Sequence, residues 1–177
     1  MSKQFFIRNK LQTGDVGYIT YMHAILYADQ GWDYTFDSYV AIPLAEFAKS
    51  HSSRERIWIV EKGGRIVGSV AIVKFSDKEA QLRWLLLDPD VRGQGLGRGL
   101  LKEALDFCKK AGYSSVFLWT VNTLPVASML YQSAGFKQTE ELTHEQWGSV
   151  VTEVKCELAL EQYDPLVMTI DKKSLLS

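Results

Sequence analysis

The sequence predicts an α/β (α+β) fold of six to seven strands and about four helices, in the order β-α-α-β-β-β-α-β-α-β-β. Three observations predict it. Segments with apolar residues at helical spacing interleave with β-rich runs. Glycine, proline and small polar residues separate those segments. The 177-residue length and a 46% hydrophobic share suit one domain with a sizeable core.

FFIRN (5–9) reads as a short opening strand. A helix over 15–29 follows the Thr13-Gly14-Asp15 caps, with Ile19, Met22, His23, Leu26 and Tyr27 on one face. Gly31-Trp32 breaks it, and a second helix over about 37–50 carries Val40, Leu44, Phe47 and Ala48. The texture then turns to β. Residues 56–75 form two runs around Lys62-Gly63-Gly64, a hairpin signal. EAQLRWLLLD (79–88) is a further strand, with Leu82, Trp84 and Leu86 on one face and Gln81, Arg83, Leu85 and Leu87 on the other. The next helix runs to about Ala111 and closes at Gly112, burying Leu96, Leu100, Leu101, Ala104, Leu105, Cys108 and Ala111. SSVFLWTV (114–121) is a strand, PVASMLYQSAG (125–135) a short helix between Pro125 and Gly135, and FKQTEE and VVTEVKCELAL are the last two strands. Residues 1–160 make the domain. Residues 161–177 form a C-terminal tail in which VMTI suits an extra strand or a packing arm, and a loose tail fits equally.

Composition narrows the function. A net charge of −1 gives no basic field for nucleic acid. No segment has the length and apolarity of a membrane span, and the three-residue apolar run near the N-terminus is shorter than a secretory signal needs. A cytoplasmic protein is expected. Cys108 and Cys156 are far apart and read as reduced and buried. His23, His51 and His144 are scattered, so no metal site is expected.

The stretch DPDVRGQGLGRGLL (88–101) sets Gly93, Gly95, Gly97 and Gly99 at alternate positions, with Arg92 and Arg98 among them. It stands between a strand and a helix. A helix N-terminus offers unpaired N–H groups and a positive dipole end, and glycines let an anion approach the backbone. The Walker A register fails, because six-residue windows from Gly93 and Gly95 end at Arg98 and Leu100. The dinucleotide pattern GxGxxG fails at the same two residues. What fits is Arg92-x-x-Gly95-x-Gly97 followed by an amphipathic helix.

With those residues, the sequence resembles the GCN5-related N-acetyltransferase (GNAT) superfamily, whose signature is [R/Q]-x-x-G-x-[G/A] after a strand that ends near proline. A second family element, A-x-x-x-Y…GF, stands as Ala127…Tyr131…Gly135-Phe136. The resemblance covers about residues 4–160. It implies a mixed, mostly antiparallel central sheet and acetyl-CoA as cosubstrate. It also implies a pyrophosphate held on the backbone of residues 92–98, namely Arg92, Gly93, Gln94, Gly95, Leu96, Gly97 and Arg98. The pantetheine arm would lie along Leu85, Leu86 and Leu87, where the family splays this strand from the next. The chain departs from the family at Leu124, where many members carry asparagine; Asn122, two residues earlier, is the cofactor contact assigned in its stead.

The chemistry implied is acetyl transfer to a primary amine of a small molecule, amino acid or peptide. An alkyl amine has a pKa of about 10.4 and must lose a proton, while the leaving thiolate needs a donor. Tyr131, at the family's tyrosine position, is the expected donor. Gln81 stands where some members carry a glutamate base. Glu79 on the same strand face, His23, and a chain of waters are the alternatives, and the residues leave them open. The acceptor is expected at the first two helices and a 141–149 loop, near His23, Tyr27, Trp32 and Asp33. This aromatic-and-acid group, with Tyr34, suits either a cationic amine or a hydrophobic cap over the sheet. A homodimer is compatible with this reading. The alternative function is a non-catalytic acyl-CoA sensor of the same fold, suggested by Gln81.

Overall fold

The computed structural model describes residues 5–168. The elements are β1 (Phe5–Arg8), α1 (Asp15–Leu26), α2 (Thr35–Lys49), β2 (Arg56–Lys62), β3 (Arg65–Lys74), β4 (Glu79–Leu87), α3 (Leu96–Lys110), β5 (Ser115–Val121), α4 (Pro125–Ser133), β6 (Lys137–Gln146) and β7 (Ser149–Ala159). They build a seven-stranded sheet in the order β1-β2-β3-β4-β5-β7-β6. Every pairing is antiparallel except β4 with β5. One apolar cluster lies between the sheet and α3, another between the sheet and α1 and α2.

The helices form on the faces the periodicity indicates. α3 buries Leu96, Leu100, Leu101, Ala104, Leu105 and Cys108, and burial pushes the Cys108 thiol up to about 12. α2 buries Phe36, Val40, Leu44 and Phe47, while Ala48 is exposed. At the start of the chain, Arg8 is locked in place. Its guanidinium donates to both Asp15 carboxylate oxygens, at 2.7 and 2.8 Å, and to Glu61 Oε1 at 2.7 Å. This nearly dry fork ties β1 to α1 and β2.

Four expectations are corrected. The helix over 15–29 ends at Leu26; a 3-10 turn over Ala28–Gln30 follows, and Gly31, at φ 73°, redirects the chain. Residues 141–149 are no loop. They belong to a hairpin of β6 and β7 turning at Trp147 and Gly148, both at positive φ. Most of β6 is exposed and polar, so alternation did not mark its length. Cys156 is half-buried. The face assignment in 79–88 also fails, because β4 carries a bulge. Ser69 opposes Leu86 while Ala71 opposes Arg83, so β4 holds one residue more than β3, and Trp84 takes φ 52°. Leu82 therefore faces the α3 cluster, whereas Trp84 and Leu86 face α1 and α2. The Ser69 hydroxyl donates to the Trp84 carbonyl at 2.7 Å and pins the bulge.

Of the tail, residues 161–168 are described. Tyr163 and Met168 are buried in the α3 cluster. Lys109 Nζ donates to the Tyr163 carbonyl at 2.8 Å, and the Tyr163 hydroxyl donates to Asp106 at 3.2 Å. Residues 161–168 thus lie against α3 through Tyr163 and Met168; Thr169 and Ile170 of VMTI lie with the rest of the tail outside the described residues.

The bulge constrains its neighbour strand. A Cβ on Gly68 would stand 2.5 Å from Leu87 Cδ2 and 2.9 Å from the Leu86 carbonyl oxygen. Gly68→Ala is expected to destabilise the protein by about 1–3 kcal/mol through overpacking, whereas Gly99→Ala, with open space around it, is expected to leave stability unchanged or slightly raised. Denaturant unfolding of the two variants checks this.

Candidate active site

β4 and β5 pair only over Glu79–Gln81 and Ser115–Phe117. Beyond that point they part, and the β5-facing edge of β4 from Arg83 onward has no strand partner. A cavity opens in the gap. Gln81 to Leu85 of β4 and Leu118 to Val121 of β5 line it, with Leu124, Ala127 and Tyr131. His23, Tyr27, Trp32, Phe36, Tyr39 and Trp147 complete the lining.

The aromatic wall is one packed group. Trp32 lies 5.4 Å from Tyr27, 4.7 Å from Phe36 and 4.5 Å from Trp147, between ring centroids. The Asp33 carboxylate does not line the cavity. It accepts from the Thr35 N–H at 2.9 Å and from the Thr35 hydroxyl. The Asp33 N–H donates to the Trp147 carbonyl at 2.8 Å, which anchors the β6–β7 turn.

Tyr131 is held by its motif. Gly135, at φ 95°, ends α4 in a left-handed turn. The Phe136 N–H then returns to the Tyr131 carbonyl at 3.1 Å and the Gly135 N–H to the Gln132 carbonyl at 3.0 Å, closing a Schellman cap. The Phe136 ring packs edge-on against the Tyr131 ring, 5.9 Å between centroids. Burial pushes the Tyr131 phenol far above its ordinary range, with Tyr27 and Cys156 adding to the shift. It is therefore protonated at any working pH. Burial raises Tyr27 as well, against the pull of the Arg92 charge.

His23 is deeply buried. Its Nδ1 donates to the Ile19 carbonyl at 2.8 Å, which leaves Nε2 bare in the neutral ring. Desolvation lowers its pKa to about 4, against the opposing effect of that hydrogen bond. Glu79 sits on the first rung of β4, outside the residues lining the cavity, where its charge acts on Lys155. Asn122 is exposed past the end of β5, and its N–H donates to the Thr152 carbonyl at 3.1 Å. Among the described residues, no carboxylate lines the cavity.

The glycine turn lies where β4 ends. Gly93 (φ 74°) and Gly95 (φ 80°) take left-handed conformations that admit few other residues. Gly95 is the N-cap of α3 and no side chain caps that end, so its first N–H groups have no helical acceptor. At Gly97 the fit is one of packing, since a Cβ would stand 3.4 Å from Leu87 and 3.5 Å from Leu130. The flanking arginines are turned to the chain: Arg92 Nε donates to the Leu87 carbonyl at 2.9 Å and Arg98 to the Val167 carbonyl at 3.3 Å. An open strand edge and a cleft belong to β4, and the uncapped N-terminus of α3 follows β4 in the chain. They fit a long ligand with an anionic middle and an acyl end.

Comparison with known proteins decides the family. The model of the acetyltransferase (GNAT) family matches residues 19–136. The chain belongs to that family. Its GNAT domain matches human N-acetyltransferase 8B with 32% identity over 131 residues, 70% of this chain and 58% of that protein. An uncharacterized N-acetyltransferase of Schizosaccharomyces pombe is 35% identical over 127 residues, 68% of this chain and 76% of that protein. The chain thus spans a little over half the length of the human relative. Among solved structures, yncA of Salmonella typhimurium with its cofactor acetyl-CoA superposes at a TM-score of 0.68, with 18% identity over 90% of this chain and 95% of that one. The Vibrio cholerae spermidine N-acetyltransferase in complex with CoA and spermine gives 0.67, with 21% identity over 92% and 99%. Both share the fold. Acetyl-CoA is the cosubstrate of the GNAT family.

Sequence reasoning named His23, Tyr27, Trp32, Leu85 and Tyr131, and the fold brings all five to the cavity. It did not single out Arg83, Tyr39 or Trp147 as site residues. Arg83 carried a signal, as a lone charge inside the apolar run Leu82–Leu87.

The His23 shift has a sign that can be tested. The folded pKa lies below the unfolded one, so the folded state favours the neutral ring. Stability from this residue is complete above the unfolded value near 6.5 and is lost as pH falls toward 4. About 3 kcal/mol is expected to disappear over that window. His23→Asn is expected to flatten this part of the curve, as read by denaturant unfolding at each pH.

Proposed function

We propose that the protein is an acetyl-CoA-dependent N-acetyltransferase that works by direct attack of a primary amine on the thioester. The observation that carries this reading is a protonated, buried Tyr131 on a cleft between splayed strands, together with an uncapped, glycine-turned helix end after β4. Family membership supports it.

Acetyl-CoA supplies an acyl carbon open to a neutral amine. The protein's own groups do the rest. The turn from Arg92 to Arg98 would hold the pyrophosphate by the helix dipole and by its backbone N–H groups, except that of Arg92, which donates to the Pro89 carbonyl. The unpaired edge of β4 at Leu85–Leu87 receives the pantetheine amides as a strand would. Tyr131 gives a hydrogen bond or proton to the departing sulfur. A thiol pKa of about 8.5 lies below that of an ordinary phenol, and the raised phenol is a still weaker acid, so Tyr131 serves best by donating a hydrogen bond as charge develops.

No internal carboxylate is available as base among the residues lining the cavity, and a His23 with a pKa of about 4 binds protons weakly. The amine accordingly loses its proton to water in the cleft. Such a site favours acceptors whose amine is already partly neutral near pH 8, as α-amines of peptide type are.

Two measurements test the reading. Thiol release across a panel of amines, beside acetyl-CoA titration, is expected to show turnover; tight binding with no turnover on any amine would favour the sensor reading. Tyr131→Phe is expected to lower kcat about ten-fold or more while acetyl-CoA still binds. An unchanged kcat removes Tyr131 from the mechanism.

A further inference from the structure

Arg83 is the one charged side chain among the described residues that line the cavity. It projects from β4 directly beside the bulge, opposite Ala71. Two rings flank its guanidinium: the Trp84 ring centroid lies 5.1 Å from Cζ and the Tyr39 centroid 6.0 Å. Among the described residues it forms no ion pair. Glu153, the carboxylate that acts on Tyr39, is bonded to His144 Nε2 at 2.8 Å. The phenols of Tyr27, Tyr39 and Tyr131 are all raised by burial, so they stay neutral beside it.

Arg83 is half-buried, and a cation drawn partly out of water is ordinarily paired, because its lost hydration must be replaced. Here the flat faces of two aromatic rings hold the guanidinium and leave its N–H fork without a carboxylate. A fork of this kind matches a carboxylate with two parallel hydrogen bonds. The lining as a whole carries a formal charge of +1, and it offers no anionic group to a second ammonium.

We propose that Arg83 binds a carboxylate of the acceptor, so that the protein selects amines that carry a carboxylate over polyamines and over uncharged amines. The proposal rests on the acetyl-transfer reading and adds the chemical class of the acceptor.

The test compares an acid with its amide. N-acetyl-phenylalanine and N-acetyl-phenylalaninamide are titrated into the full chain in the presence of CoA, by calorimetry. The acid is expected to bind at least about ten-fold more tightly than the amide, as for a hydrogen-bonded charge pair. Arg83→Gln is expected to remove that preference, and Arg83→Lys to keep part of it. Equal affinity for acid and amide, binding of neither, or a preference that persists in Arg83→Gln overturns the proposal. The wild-type comparison needs no variant, so a poorly folded Arg83→Gln does not shield the idea. Thiol release with phenylalanine, phenylalaninamide and spermidine separates this claim from the function. Comparable turnover on all three sinks the role of Arg83 and leaves acetyl transfer standing. Failure to bind acetyl-CoA sinks acetyl transfer, while the acid-over-amide preference still decides Arg83.

Discussion

β4 and β5 share three rungs of parallel pairing and then separate, and the site exists because of that parting. A sheet gains hydrogen bonds and apolar contact by staying closed, so the opening needs a local cause. The bulge at Trp84 supplies it by inserting one residue, changing the twist of β4 and turning Trp84 and Leu86 toward α1 and α2. Ser69 holds the bulged carbonyl, and Gly68 makes room for the end of the strand. Backbone groups that would have paired with β5 are left facing a cleft.

The two sequence motifs follow physically from this frame. The glycine turn must leave the end of β4 and enter α3 within a few residues, and Gly93 and Gly95 take the left-handed conformations that this needs. Because the N-cap is a glycine, no side chain occupies the helix end. The Gly135-Phe136 pair terminates α4 and returns a hydrogen bond to Tyr131 itself. That pair thereby fixes the direction of the tyrosine, and the fit of Phe136 against its ring fixes the rest.

The electrostatics of the cavity are as sparse as its packing is dense. Burial holds His23 neutral and the phenols protonated, while the carboxylates one would look for are engaged elsewhere: Asp33 in a turn, Glu153 with His144. One guanidinium between two rings remains. The aromatic group around Trp32 lines the cavity, and Trp147 joins it from the far hairpin.

The sequence by itself determined the order of elements, the helix faces, the glycine turn and the resemblance carried by Arg92-Gly95-Gly97 with Ala127-Tyr131-Gly135-Phe136. These are local features, set by periodicity, by left-handed backbone positions and by caps within a few residues. Only the tertiary structure decided which face Trp84 and Leu86 occupy, since a bulge breaks the alternation without leaving a compositional mark. It also extended the polar edge strand β6, where no apolar alternation runs, and drew Trp147 into a wall formed by α1 and α2. Arg83 shows the division most plainly. Its charge was visible in an apolar run, but its place beside Trp84 and Tyr39 depends on two segments, β4 and α2, far apart in sequence and close in space.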